Sequence, residues 1–118
     1  METGKFLSTM GNMFIDGSAK IGKNCTIGQF AVIEKDVELG DDCQVGHNVV
    51  IHAGTKIGNG VRIDANSVIG KQPLRSKRSI FKSDKKYEPC TIGDECLIGA
   101  QVVVYTGCKI ANNVLIAD

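Results

Sequence analysis

Every sixth residue from Ile15 to Ile69 is aliphatic, without a gap: Ile15, Ile21, Ile27, Ile33, Leu39, Val45, Ile51, Ile57, Ile63, Ile69. After an interruption the beat returns at Ile92, Ile98, Val104, Ile110 and Ile116. Helices repeat at about 3.6 residues and strands at about 2, so neither produces this period. A fixed internal period of this kind is the mark of a solenoid, and it restricts the fold before any other feature does.

Each unit can be written as positions one to six. Position one is Ile, Leu or Val. Position two is usually glycine, as at Gly22, Gly28, Gly40, Gly46, Gly58, Gly70, Gly93 and Gly99. Positions three and four are polar or turn-prone: Lys23-Asn24, Asp41-Asp42, His47-Asn48, Asn59-Gly60, Asn112-Asn113. Position five is small or β-branched throughout. A short strand followed by a tight bend turns positions one and five inward together, and Gly and Asn accept the left-handed backbone that such a bend needs. Three strands and three corners close a coil of 18 residues, and successive coils stack as parallel strands about 4.8 Å apart. The expected fold is all-β, a parallel β-helix of about five coils over residues 15–118, with one protruding loop at 71–89.

A chain of 118 residues has room for one domain. Residues 1–14 read as a cap for the N-terminal end or a disordered lead. The last unit stops at Ile116-Ala117-Asp118 in mid-repeat, which leaves a strand edge and apolar surface uncovered. The expectation is a chain truncated at its C-terminus or covered there by something else. No stretch suits a membrane span, and no signal-peptide pattern opens the chain, so a cytoplasmic location is expected. All five cysteines (Cys25, Cys43, Cys90, Cys96, Cys108) fall on position five. That register assigns them to the interior as small apolar residues, with no metal or redox role.

The beat is lost between Ile69 and Ile92. The loop there carries seven basic and two acidic side chains, +5 over residues 71–89, while the rest of the chain sums to −4. So concentrated a basic loop suits a phosphate-bearing ligand, which Arg and Lys recognise together. With only Phe81 and Tyr87 as aromatics in the loop, and no recognisable nucleic-acid module, nucleic acid is not the expected ligand.

The units I-G-K-N-C-T, I-G-Q-F-A-V, L-G-D-D-C-Q and I-G-D-E-C-L resemble the hexapeptide repeats of left-handed β-helix acyltransferases, from Ile15 nearly to the end of the chain. The left hand comes from this resemblance, since the general crossover rule favours the right. The run S-V-I-G-K-Q-P-L-R-S-K-R, followed by E-P-C-T-I-G-D-E-C-L-I-G, is similar to the nucleotide-sugar branch: amino-sugar N-acyltransferases and the UDP-N-acetylglucosamine O-acyltransferase. The resemblance implies acyl transfer from acetyl-CoA, another acyl-CoA or acyl-carrier protein to the amine of a nucleotide-linked sugar. It also implies no bound cofactor, and a homotrimer with each site between neighbouring helices.

Such a reaction needs a base to take the amine proton, and histidine is the usual choice. His47, at position three of V-G-H-N-V-V, stands at the repeat position where the resembling enzymes often place it, but in about the second coil where they usually use a later one. A base beyond residue 118 or in a neighbouring chain is the alternative. His52, at position two of I-H-A-G-T-K, stands where they often carry a structural histidine. Gln72, Arg75, Lys77 and Arg78 are the expected phosphate-binding residues. Two histidines cannot build a three-histidine zinc centre, which sets aside γ-type carbonic anhydrase chemistry. A non-catalytic trimerisation or scaffold domain is the alternative reading, because fold alone does not decide function.

Overall fold

The computed structural model describes residues 12–74 and 87–118. Strands come in threes, one coil at a time. The first coil holds β1 (Phe14–Ile15), β2 (Lys20–Ile21) and β3 (Thr26–Ile27). The second holds β4 (Val32–Ile33), β5 (Glu38–Leu39) and β6 (Gln44–Val45). The third holds β7 (Val50–Ile51), β8 (Lys56–Ile57) and β9 (Arg62–Ile63). The fourth holds β10 (Val68–Lys71), β11 (Thr91–Ile92) and β12 (Leu97–Ile98), and the fifth β13 (Val103–Tyr105), β14 (Lys109–Ile110) and β15 (Leu115–Ile116). They form three parallel five-stranded sheets, β1-β4-β7-β10-β13, β2-β5-β8-β11-β14 and β3-β6-β9-β12-β15. The molecule is a three-sided prism of five coils, as the period requires.

Position one points inward from each strand, and Ile33, Ile51, Ile63, Ile69 and Ile98 are essentially fully buried. Position five fills the corners, with Ala31, Val37, Val49, Cys90 and Cys96 excluded from solvent. Position four makes the bend. Asn24, Asp36, Asp42, Asn48, Asn66, Glu95 and Asn113 have φ of 58° to 65° there, a conformation that Asn and Asp tolerate through local hydrogen bonding. Phe30 breaks the pattern: it takes φ 61° although a bulky side chain disfavours it. Glycine at position two answers a close approach rather than a turn. A Cβ at Gly22 would lie 2.6 Å from the carbonyl of Gly40, and one at Gly40 would lie 2.6 Å from that of Gly58.

Four of the five cysteines are buried, as their register implies. Cys108 departs from that expectation and is exposed. It lies in the fifth coil, where no described backbone stacks above the corner. In the corner between the second and third sheets, Cys25, Cys43 and Cys96 donate their thiols to the carbonyls of Gly40, Gly58 and Ala111 at 3.1, 3.2 and 3.0 Å. Burial pushes Cys43 and Cys90 up from 9.0 to about 11, which keeps both as thiols.

Hydrogen-bonded corners lie 18 residues apart within the regular coils, as in Asp41 to Asn59, and 35 apart across the loop, as in Asn59 to Asp94. The difference shows that the loop is an insertion of 17 residues in one corner, after β10 and before Cys90. The prism resumes in register beyond it, with Thr91 opposite Lys56 and Ile92 opposite Ile57.

Position six faces outward and gives each sheet its own surface. The second sheet presents Lys20, Glu38, Lys56, Thr91 and Lys109, with Lys56 Nζ 2.7 Å from Glu38. The third presents Thr26, Gln44, Arg62, Leu97 and Leu115. The first presents Phe14, Val32, Val50, Val68 and Val103, apolar from end to end. Among the described residues no helix is long and apolar enough to cross a membrane.

Candidate functional site

The corner between the first and second sheets is built differently from the other two. Its position-two residues are Asp16, Glu34, His52, Gly70 and Tyr105, so glycine appears once. These side chains stack in a column up the prism, and the inserted loop leaves and returns at the same corner. A groove of about 420 Å³ opens there, lined by Glu34, His52, Lys71, Gln72, Tyr87 and Thr106 among others. A larger groove of about 510 Å³ follows the edge of the third sheet past Leu97, Leu115 and Ile116. Its charged groups are Asp118 and the Arg62–Asp64 pair, the latter closed on itself at 2.8 Å, whereas the smaller groove gathers Glu34, His52 and Lys71.

The loop stems are tied to the fifth coil. Thr106 donates its backbone N–H to the Lys71 carbonyl at 2.9 Å and its hydroxyl to the Glu88 carbonyl at 2.5 Å. Lys71 Nζ sits 5.6 Å from the centre of the Tyr105 ring and 3.3 Å from the Gln72 carbonyl. A lysine held over an aromatic face keeps its charge at a fixed place, here at the mouth of the groove.

His52 Nδ1 lies 3.0 Å from Glu34 Oε1, and the Ala53 N–H donates to the same oxygen at 3.0 Å. Both side chains are a little over a third exposed. The amide of the coil above anchors the carboxylate, and the carboxylate orients the ring.

His47 belongs to another corner and another kind of contact. At position three the other side chains of this series accept an N–H from the coil below. Asp41 takes that of Lys23, Asn59 that of Asp41, Asp94 that of Asn59, Asn112 that of Asp94 and Asp118 that of Ala100, at 2.7 to 2.8 Å. His47 Nδ1 accepts the Gln29 N–H at 2.8 Å in the same way. Of the four expected phosphate-binding residues, Gln72 lines the groove, while Arg75, Lys77 and Arg78 lie outside the described residues. His47 and Gln72 are therefore on different corners, and the structure does not bring them together. Sequence reasoning passed over Glu34, Lys71 and Thr106. A signal was present: in this corner four of the five position-two residues, Asp16, Glu34, His52 and Tyr105, are not glycine. Among the described residues no group of three or more His, Cys, Asp or Glu side chains is placed to hold a metal ion.

A three-sided parallel prism with a glycine-led six-residue unit defines the hexapeptide-repeat class of β-solenoids. The chain belongs to the family described as bacterial transferase hexapeptide (six repeats), whose pattern matches residues 18–53, 36–71 and 89–118. Its structure is similar to that of LpxA, a UDP-N-acetylglucosamine acyltransferase from Bacteroides fragilis 9343, with a TM-score of 0.79 and 32% identity over 89% of this chain. The matched region spans 42% of the LpxA chain. The fold is the left-handed β-helix expected from the repeats. No curated protein matched the chain.

Proposed function

We propose that this protein moves an acyl group from a thioester donor to the amine of a nucleotide-linked amino sugar. The observation that carries the reading is the groove where Lys71 and Gln72 meet the stems of a loop of net charge +5, on a β-helix similar to a UDP-N-acetylglucosamine acyltransferase. The nucleotide phosphates would meet Gln72, Arg75, Lys77 and Arg78. The donor would be acetyl-CoA, another acyl-CoA or an acyl-carrier protein, with no bound cofactor. The amine is preferred to a hydroxyl on the similarity of the loop and its return to amino-sugar N-acyltransferases. Catalysis would come mainly from holding two substrates side by side, because well-oriented reactants lose most of the entropic barrier before reaction.

A homotrimer goes with this reading. The first sheet supports it, since Phe14, Val32, Val50, Val68 and Val103 form an outward apolar ladder that borders the groove corner. A second copy on a parallel axis presents the same ladder with the same rise.

The test is direct. Full-length protein is incubated with an acyl-CoA and a panel of nucleotide-linked amino sugars, and the product is read by mass spectrometry. In Arg75→Ala/Arg78→Ala the KM for the nucleotide sugar is expected to rise about tenfold or more, with kcat within about twofold, as for lost uniform binding. Unchanged kinetics in that variant reject the phosphate assignment. No turnover, and no thermal shift with coenzyme A or a nucleotide sugar, favours the scaffold alternative.

A further inference from the structure

We propose that Asn59 is a modification site of this chain: a deamidation site that the stacked coils hold closed, and whose conversion loosens the corner between the second and third sheets. The inference stands apart from the acyl-transfer reading. Of the seven asparagines, Asn59 alone is followed by glycine. Gly60 has no Cβ to keep its amide nitrogen from the asparagine side chain.

The step balances with water as the only co-reactant. The Gly60 N–H gives its proton to solvent hydroxide, and the nitrogen attacks Asn59 Cγ to close a cyclic imide. The bond from Cγ to the side-chain nitrogen breaks, and that nitrogen leaves as ammonia with a proton from water. Water then opens the imide. Opening at Cγ gives aspartate. Opening at the main-chain carbonyl gives isoaspartate, with the backbone rerouted through Cγ.

The fold holds both reacting groups in other bonds. Gly60 donates its N–H to the Asp41 carbonyl at 2.8 Å, and Asn59 Oδ1 accepts the Asp41 N–H at 2.8 Å. Attack requires both bonds to Asp41 to open. From the coil above, Asp94 Oδ1 accepts the Asn59 N–H and Glu95 donates its N–H to the Asn59 carbonyl, each at 2.8 Å. The Glu95 carboxylate lies against Gly60, since a Cβ there would stand 2.5 Å from Glu95 Oε1. A negative charge at that place opposes the anionic nitrogen that attack needs.

Position three of this corner alternates Asp41, Asn59, Asp94 and Asn112, and each accepts an N–H from the coil below. With coils about 4.8 Å apart, the amide of Asn59 keeps its charged neighbours about 10 Å from each other, beyond the screening length of about 8 Å at physiological salt. Aspartate at this place keeps the acceptor but sets carboxylates on three consecutive coils, 41, 59 and 94. Stacked like charges destabilise a sheet. Isoaspartate carries an extra main-chain methylene into the bend and gives up both bonds to Asp41.

Peptide mapping by mass spectrometry on the intact chain, in buffer and in urea, tests the site. In urea Asn59 is expected to convert before the other asparagines. In buffer its rate is expected to be at least about tenfold lower, set by local opening of the corner. Asp94→Ala, which removes the acceptor of the Asn59 N–H, is expected to raise the rate in buffer and leave that in urea unchanged. Asn59→Asp mimics the aspartate product. It is expected to keep the β-rich circular dichroism and to lower the urea midpoint, more at low salt than at high. Adding Asp41→Asn and Asp94→Asn, which isolates the new carboxylate, is expected to recover the midpoint. Another asparagine converting first in urea, or equal rates at Asn59 in buffer and in urea, overturns the guarded site. A midpoint of Asn59→Asp equal to wild type at low salt overturns the loosening of the corner.

Discussion

Thr55 and Ser67 hold the same position-five place in different corners, and their hydroxyls fare differently. Ser67 donates to the Gly99 carbonyl at 2.7 Å and accepts the Val102 N–H at 3.1 Å. Thr55 Oγ1 is fully buried with no partner among the described residues. Leaving a buried polar group unpaired costs about 1–3 kcal/mol, so Thr55→Val is expected to raise the unfolding free energy by about 1 kcal/mol, read by urea titration. Ser67→Ala is expected to lower it by about 1 kcal/mol, since it leaves the half-buried Val102 amide and Gly99 carbonyl without the hydroxyl. Gly70, the single glycine of the groove column, has φ +83°, and a Cβ there would stand 2.5 Å from Thr55 Oγ1. Gly70→Ala is expected to cost about 1–3 kcal/mol from backbone strain and the clash together. Adding Thr55→Ala should return the steric part only. At Phe30, 62% exposed at φ 61°, Phe30→Asn is expected to stabilise the chain by up to about 1 kcal/mol, because Asn accepts the left-handed region.

At the scale of the element, a corner is held by two devices: side-chain acceptors at position three and small apolar groups at position five. Asn59 links both of its neighbours, accepting the Asp41 N–H and donating its own N–H to Asp94, each at 2.8 Å. Asn59→Ala leaves one partly exposed amide without its acceptor, and a loss of about 1 kcal/mol is expected. The position-five thiols add a pH dependence. Cys43 and Cys90 go from 9.0 to about 11 on burial. Their folded values lie above the unfolded ones, so the native state holds their protons more tightly. The associated stability is complete below about pH 9 and declines as the pH climbs towards about 11. A urea midpoint that is flat to pH 9 and then falls is expected, and Cys43→Ala/Cys90→Ala should flatten the fall. Since the thiolate is the reactive form, alkylation of native protein is expected at exposed Cys108 well before Cys43 or Cys90.

For the whole molecule, three faces of one prism have three chemistries. The second sheet alternates Lys20, Glu38 and Lys56 up the stack, and such exposed pairs contribute little beyond solubility. The valine ladder of the first sheet has no such purpose in water. If it seats a second copy, Val50→Glu/Val68→Glu is expected to shift full-length protein from trimer to monomer in sedimentation, with the β-rich circular dichroism unchanged. A trimer that persists in this variant removes the first sheet from the interface.

How much of this was legible in the chain follows from what repeats. The six-residue beat determined the strands, the inward residues, the 18-residue coil and the place of the insertion, because each is a local consequence of pattern and turn chemistry. It also placed the five cysteines in the interior, and failed at Cys108 only because stacking supplies the cover there. The site was not legible in the same way. Glu34 and His52 are 18 residues apart, and nothing in either unit says that one carboxylate oxygen will bind both a ring nitrogen and the Ala53 amide. Likewise His47 reads as an outward imidazole until Gln29 is seen beneath it. Which nitrogen carries a proton depends on the neighbour one coil away. That neighbour is chosen by register between coils, a property of the folded stack and not of any single repeat.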